Sequence, residues 1–440
     1  MKGGLAMTGR IAAAVLALML MAGAQAQSLY AVQAAGVAAV VDGDGAELLR
    51  DEAADSAFAI VPDALFALGA AGGYRLYDAA GKPVNAERFD MPEAVEDAVL
   101  YRQNGLYGAM DIGGGALIPP EWAQLTYAGE GAFLALEGDI YDDLPDEMIC
   151  VTPDGARLTT GSFTADGLHA FRDGRMPFML SDGQYGYVDG RGRQVIPPEW
   201  RWAGPFAEGV AIVSDGREMG LIDAQGQVVV SPRYIWMRRG EGIIVGLDAE
   251  GRADVYAADG SEVRFTVPVR ADSAEVCGPY IAIRSGDTAY LYDAAGTCLH
   301  EGPAGTLYTP GLDGQVIVSE GEWGEACQYV MNPDGSAAAA SYQYILPLCG
   351  GRYAFMTFGR RASEYAWSQA DWDYDGARWG LISADGRGIL SAEYDAILPA
   401  GDDRLVLITG DAVIFADLDG NALKTWPVTE TAASSSEAGA

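Results

Sequence analysis

Positive charge is scarce in this chain, and nearly all of it is arginine. Lysine occurs only at Lys2, Lys82 and Lys424, and 28 lysines and arginines face 62 aspartates and glutamates, for a formal net charge of −34. Binding of nucleic acid depends on Lys and Arg neutralising phosphates, so a surface this acidic argues against a polyanionic partner. Solubility of an all-β protein accounts for the acidity more simply than a basic partner or a bound cation does. Histidine is as rare, at His169 and His300 alone. With no Gly-x-Ser-x-Gly motif around a serine, hydroxyl–histidine catalysis has no sequence basis. The five cysteines, Cys150, Cys277, Cys298, Cys327 and Cys349, form no Cys-x-x-Cys motif and no Cys/His metal spacing. After Gly23 no apolar run is long enough to span a bilayer.

The N-terminus reads as an export signal. Lys2 and Arg10 precede the apolar run from Ile11 to Gly23, and Ala24-Gln25-Ala26 supplies the small-x-small pattern for cleavage after Ala26. No cysteine follows the site, so a lipoprotein anchor is not expected. Loss of Lys2 and Arg10 takes the net charge from −34 to −36. An exported chain can keep disulfides. Cys277 with Cys298 and Cys327 with Cys349 are the local pairings, leaving one thiol over, and buried free thiols remain the alternative.

What is abundant is a turn. Asp or a stand-in, two residues and then Gly recur with the glycines at Gly45, Gly81, Gly114, Gly155, Gly192, Gly226, Gly260, Gly296, Gly335, Gly386 and Gly420, at intervals of 33 to 51 residues that average 37.5. Such self-similarity signals a repeat architecture. The aspartate can accept hydrogen bonds from its own backbone and the glycine tolerates positive φ, so each copy closes a hairpin between two apolar strands. The best copies align over a longer frame. Tyr185-Gly-Tyr-Val-Asp through Pro198-Glu-Trp200 matches Met219-Gly-Leu-Ile-Asp through Pro232-Arg-Tyr234, Trp379-Gly-Leu-Ile-Ser through Glu393-Tyr394, and Tyr107-Gly-Ala-Met-Asp through Pro120-Glu-Trp122. Gly108, Gly186, Gly220 and Gly380 lie inside a strand, where the missing Cβ admits a neighbouring backbone or ring. Trp122, Trp200, Tyr234 and Tyr394 are expected to fill the space between units.

That frame resembles the WG-repeat family, also called KWG repeats, of bacterial secreted and cell-envelope proteins. The resemblance covers residues 105 to 235 and 378 to 397 well and the rest through the turn alone. It implies a binding or scaffolding module and carries over no catalytic residue.

Between turns the chain reads as short strands. Val263 to Arg270 alternates apolar and polar, while Val210–Val213, Val228–Val230, Tyr280–Ile283 and Leu405–Ile408 read as more buried strands. Asp90 to Tyr101 looks locally like a capped helix. The repeat register nevertheless aligns Glu96–Tyr101 with Glu208–Val213 and predicts a strand. The expected fold is all-β, with tandem repeats of about 38 residues forming β-propeller-like four-stranded units; an open β-solenoid is the alternative. The expected organisation is a signal peptide over 1–26, about eleven units over 27–427, possible as two rings, and a disordered tail over 428–440.

The candidate sites cluster in the longest interval, between Gly335 and Gly386. Asp371-Trp372-Asp373-Tyr374-Asp375-Gly376 could aim Asp371, Asp373 and Asp375 at one calcium ion, although Ile382 stands where an EF-hand loop has its bidentate Glu. Trp367, Trp372 and Tyr374 are candidates for stacking on sugar rings. A second acidic insertion, 139–147, reads as a solvated loop. No catalytic residue and no required cofactor are identified, so the expected role is a non-catalytic binding or scaffolding module, exported to the cell envelope or beyond, with a protein or a cell-wall glycan as partner. A carbohydrate-active enzyme on a propeller, needing only two suitably spaced carboxylates, and a calcium-dependent adhesion module are the alternatives.

Overall fold

A computed structural model describes residues 29–428 except 35–36, 51–53, 71, 85–87, 91, 97, 137–147, 153–156, 164–170, 181, 191–192, 322–326, 339, 358–359, 362–371 and 374–376. The expected signal peptide and nearly all of the expected tail lie outside the described residues. Among these residues every regular element is a strand, and every sheet is antiparallel and small. The chain divides into two compact units, one of residues 93–308 and one made of both terminal segments, 1–92 and 309–440.

The 202–234 sheet displays the basic pattern. Trp202–Ala207, Val210–Ser214, Met219–Asp223 and Val228–Tyr234 pair in chain order, a four-stranded meander. A single residue, Ile235, separates it from the first strand of the next sheet, Trp236–Gly240. Sheets 93–122, 236–266, 273–303, 344–394 and 396–427 also have four strands, while 29–50, 56–78 and 307–331 have three. Sheets 124–163 and 175–200 are linked by one pair, Ser162 with Met179.

In the four-stranded sheets 93–122, 202–234, 273–303 and 396–427 the recurring turn joins the third and fourth strands. At Gly226 the φ of 81° is one that a Cβ disfavours. The Gly226 amide donates to the Asp223 carbonyl at 2.9 Å, and Asp223 Oδ1 accepts the amides of Gln225 and Gln227 at 2.9 and 2.8 Å. Asp42, Asp78, Asp111, Asp293 and Asp417 bracket their turns in the same way. These six of the 62 acidic residues thus close turns of this kind. Asp248 and Gly251 add a turn of this kind that joins the second and third strands of the 236–266 sheet.

The in-strand glycines have a steric reason shared by all four copies. Tyr107, Tyr185, Met219 and Trp379 stand opposite Trp122, Trp200, Tyr234 and Tyr394; two residues on, Ala109, Tyr187, Leu221 and Leu381 stand opposite Ile118, Ile196, Val230 and Leu390. Two residues on one strand therefore span four on its partner, and the surplus bulges over the glycine. A Cβ at Gly220 would lie 2.3 Å from the Val230 carbonyl oxygen and 2.8 Å from Pro232 N; at Gly108 and Gly186 it would meet Ile118 O and Ile196 O at 2.8 and 2.6 Å. At Gly380 the nearest atom is the Phe355 ring, at 2.3 Å, with Leu390 O at 2.8 Å.

The segment 93–103 is a hairpin, Glu93–Val95 with Ala98–Gln103, so the repeat register prevails over the local helix signal. Glu96 at its tip has φ 47°, matching φ 51° at Glu208 in the aligned position. Two strand readings change. Val228 and Val229 are 51% and 40% exposed, because the run Val228–Val230 belongs to the outermost strand of its sheet rather than a buried one. Val263–Thr266 ends before Val267-Pro268, since Pro268 has no N–H to donate to the ladder. The longest interval is an insertion between two directly paired strands, Arg352–Thr357 and Arg378–Ser383.

An open solenoid leaves its first and last repeats uncovered. Here the first and last sheets share one core, in which Tyr30, Val32 and Val41 pack with Val406, Phe415 and Trp426. Tyr30 donates to Asp403 at 2.8 Å and Trp426 Nε1 to Glu47 at 2.7 Å.

None of the five cysteines is in a disulfide. Burial pushes the Cys150 and Cys349 thiols up to about 12 and that of Cys277 up to about 11, whereas Cys298 and Cys327 are exposed. Native labelling with maleimide is therefore expected to modify two thiols, with the other three reacting only on unfolding; a mass shift of four or five labels on native protein would contradict the packing. Gly220→Ala is expected to cost about 2 kcal/mol or more in urea unfolding. Gly190→Ala, where a Cβ meets nothing within 4 Å, is expected to stay within about 0.5 kcal/mol.

Candidate functional site

The structure places the sequence-derived residues in three groups. Gly108, Gly186, Gly220 and Gly380 lie beneath the bulges just described. Trp122 is buried with Leu100 and Ile118 of its own sheet and Leu125 and Phe133 of the next, and Tyr234 with Leu221 on one side and Met237 and Ile244 on the other. Trp200 and Tyr394 are partly buried against cores that likewise combine two sheets. Trp367, Asp371, Tyr374 and Asp375 lie outside the described residues, as do His169 and the acidic insertion 139–147. The backbone of Trp372 and Asp373 pairs with Arg361 and Arg360. Among the described residues no group of three or more His, Cys, Asp or Glu side chains is placed to hold a metal ion. The remaining histidine, His300, has Nδ1 2.9 Å from the Tyr308 hydroxyl.

The densest polar cluster was not singled out from the sequence. It centres on Asp254, whose side chain is 1% exposed. Asp254 Oδ1 accepts from Thr266 Oγ1 at 2.6 Å and Arg252 Nε at 3.0 Å; Oδ2 accepts from the Tyr234 hydroxyl at 2.9 Å and Arg233 Nη2 at 3.1 Å. The Tyr234 and Tyr256 hydroxyls are 2.6 Å apart, and Arg233 Nη2 also donates to Tyr256 at 2.9 Å. The Arg233 guanidinium lies 4.8 Å from the Tyr234 ring centre. Missing Cβ atoms matter here too: one at Gly246 would sit 2.8 Å from the Tyr234 ring, so Gly246 opens the berth that brings this hydroxyl to Asp254.

The signal that could have found the cluster is two departures from the repeat frame. Aligned on the turn, Ala253-Asp254-Val-Tyr-Ala257 matches Met219-Gly220-Leu-Ile-Asp223, so Asp254 stands in the glycine's place. Its sheet pairs Asp254 with Thr266 and Val255 with Phe265 without a bulge between them, which leaves room for a side chain. Arg233 stands where the other copies have Glu121, Glu199 and Glu393. The two exceptions, one in each of two adjacent sheets, meet as an ion pair.

Burial raises the pKa of the Asp254 carboxyl, but the hydrogen bonds from Thr266, Tyr234 and Arg252 outweigh it, so the net shift is below the usual aspartate range. A buried carboxylate with every lone pair engaged is held as an anion. Both arginines remain about half exposed, at 51% for Arg233 and 57% for Arg252. The arrangement is therefore a buried anion that orients two guanidinium groups toward solvent.

Fold and cluster together define a tandem β-repeat protein with propeller-like blades. Residues 185–216 and 219–239 match the family model of the WG containing repeat, so the resemblance read from the motifs is shown over that stretch. No curated protein matches the chain. Among solved structures it is similar to the computationally designed Ika8 protein, with 13% identity over 63% of this chain and 93% of that one and a TM-score of 0.31. BamB from Moraxella catarrhalis shares 13% identity over 68% of this chain and 91% of that one, with a TM-score of 0.30. A eukaryotic initiation factor shares 9% identity over 92% and 96%, with a TM-score of 0.41. Likeness at this level carries no argument about this chain's role.

Removing one partner of a buried charge network typically costs 3–5 kcal/mol, and Asp254→Asn is expected to fall near the lower end because it keeps the shape. Because the folded pKa is depressed, the carboxylate's contribution is present above about pH 4, the unfolded aspartate value, and is lost as pH falls through the lower folded value. The gap in melting temperature between wild type and Asp254→Asn is thus expected to be widest near pH 7 and to shrink below pH 4. A gap that does not vary with pH would show that charge at Asp254 is not what stabilises the fold.

Proposed function

We infer that this chain is an exported, non-catalytic β-repeat module that binds a protein or a cell-wall glycan at the bacterial cell envelope or outside it. The observation that carries the reading is the character of the outer strands. Val195, Val228, Val229 and Val263 lie on the outermost strands of three consecutive sheets and are 40–51% exposed, so apolar side chains recur at the outer edge of this stretch where a partner can reach them. Charge supports it as well. From residue 191 to 270 ten arginines stand against eleven acidic residues, so this stretch is near neutral in a chain of net charge −34. A partner approaching there meets the least long-range repulsion.

At least seven of the 62 acidic residues are engaged in structural hydrogen bonds. Asp42, Asp78, Asp111, Asp223, Asp293 and Asp417 accept backbone amides in turns, and Asp254 accepts four side-chain donors. The leader sequence at residues 1–26 is the basis for export. Calcium is not required by this reading.

The mature chain, residues 27–440, is expected to bind purified peptidoglycan or one member of a glycan panel saturably, with no sugar released into the same wells. Release of reducing sugar would replace the binding module with a glycoside hydrolase. Loss of binding in EDTA, restored by calcium, would move the reading to a calcium-dependent adhesion module and to Asp371, Asp373 and Asp375.

A further inference from the structure

We propose that Arg233 and Arg252 form an oxyanion-binding site, which takes a carboxylate or phosphate group carried on an otherwise uncharged ligand. Both guanidinium groups are fixed by the same buried carboxylate, Arg233 through Nη2 to Oδ2 at 3.1 Å and Arg252 through Nε to Oδ1 at 3.0 Å. They are therefore neighbours, and neither has to be ordered when a ligand arrives. Arg252 Nη2 has a further, long contact to Thr266 Oγ1 at 3.4 Å. Among the described residues Arg233 Nε and Nη1 and Arg252 Nη1 have no acceptor, and both side chains are about half exposed. Two arginines and one aspartate leave a local charge of +1 in a strongly acidic protein.

A structural role for the pair does not account for its form. Neutralising Asp254 takes one cation, and Thr266, Tyr234 and the first arginine already fill most of the carboxylate's acceptor sites. The second arginine adds outward-facing donors of the planar kind that match carboxylate and phosphate oxygens. The overall charge then selects the ligand. A polyanion is repelled by the surrounding field, whereas a ligand with isolated acidic groups meets that field once and is held at short range by the guanidinium groups. Arg233 also lies on the outermost strand that exposes Val228 and Val229, so an apolar stretch of the same partner has a surface beside the anion site.

The inference rests on the binding role proposed above and gives it a chemistry. Its test uses the full mature chain in calorimetry at physiological salt, with a trisaccharide of two galactose units and one galacturonic acid as the carboxylate probe, inorganic phosphate as the phosphate probe and a galactose trimer as the uncharged one. Saturable binding of the carboxylate or the phosphate probe, but not of the uncharged trimer, is expected. Arg233→Gln and Arg252→Gln should each weaken it at least about tenfold. Arg252→Lys, which keeps the charge beside Asp254 and loses the planar fork, should weaken it less. Arg217→Gln, which makes the same charge change on an exposed turn, should alter it by less than about twofold. Equal weakening by all four variants, equal binding of the uncharged trimer, or no saturable binding of either anion would overturn the site. Peptidoglycan binding measured on the same preparations separates the two claims: if it persists in Arg233→Gln and Arg252→Gln while the small anions fail, only this site falls.

Discussion

Space for one missing Cβ governs each recognised repeat. Where the fourth strand carries its proline or alanine bulge, its backbone folds over the third strand so closely that only a hydrogen atom fits beneath it, at Gly108, Gly186, Gly220 and Gly380. The bulge in turn sets the register that brings Trp122, Trp200, Tyr234 and Tyr394 opposite the residue before each glycine. Those aromatics then form the core between one sheet and the next. A steric condition inside one hairpin thereby dictates packing between hairpins, which is how a short motif can build an extended protein.

The same condition explains why a departure from it is informative. A side chain in the glycine's place demands a partner strand without a bulge at that point, and the 236–266 sheet pairs Asp254 with Thr266 and Val255 with Phe265 in regular register. That the side chain is a carboxylate demands compensation for lost hydration, which Arg233, Arg252, Tyr234 and Thr266 supply. Asp254, 1% exposed, would not be tolerable in these surroundings without such partners. Together they convert a structural position into a polar centre whose donors reach the surface.

The architecture was largely legible because its causes are local. Asp223 and Gly226 announce a turn within four residues, and the spacing of eleven such turns gives the repeat without reference to tertiary contacts. Register even corrected a local propensity, since Glu96 sits at the hairpin tip that Glu208 predicts. What stayed hidden was long-range. Val228–Val230 reads as a buried run because three valines look the same on an inner or an outermost strand. The Arg233–Asp254 contact spans two repeats, and each residue is unremarkable until it is aligned with its counterparts. The acidic stretches 139–147 and 371–375 stand out in the sequence, whereas Arg233 and Asp254 lie in neither.

Arg233 and Asp254 are coupled exceptions to one repeat frame. A double-mutant cycle that restores the frame, Arg233→Glu with Asp254→Gly, tests this coupling directly. Arg233→Glu sets a second carboxylate against Asp254 and Asp254→Gly removes the anion shared by Arg233 and Arg252, so each should destabilise the fold, whereas the double substitution should recover much of the loss, with a coupling of about 2 kcal/mol or more between the sites. Additivity within about 0.5 kcal/mol would mean that the two departures are independent and that the cluster is not the paired centre described.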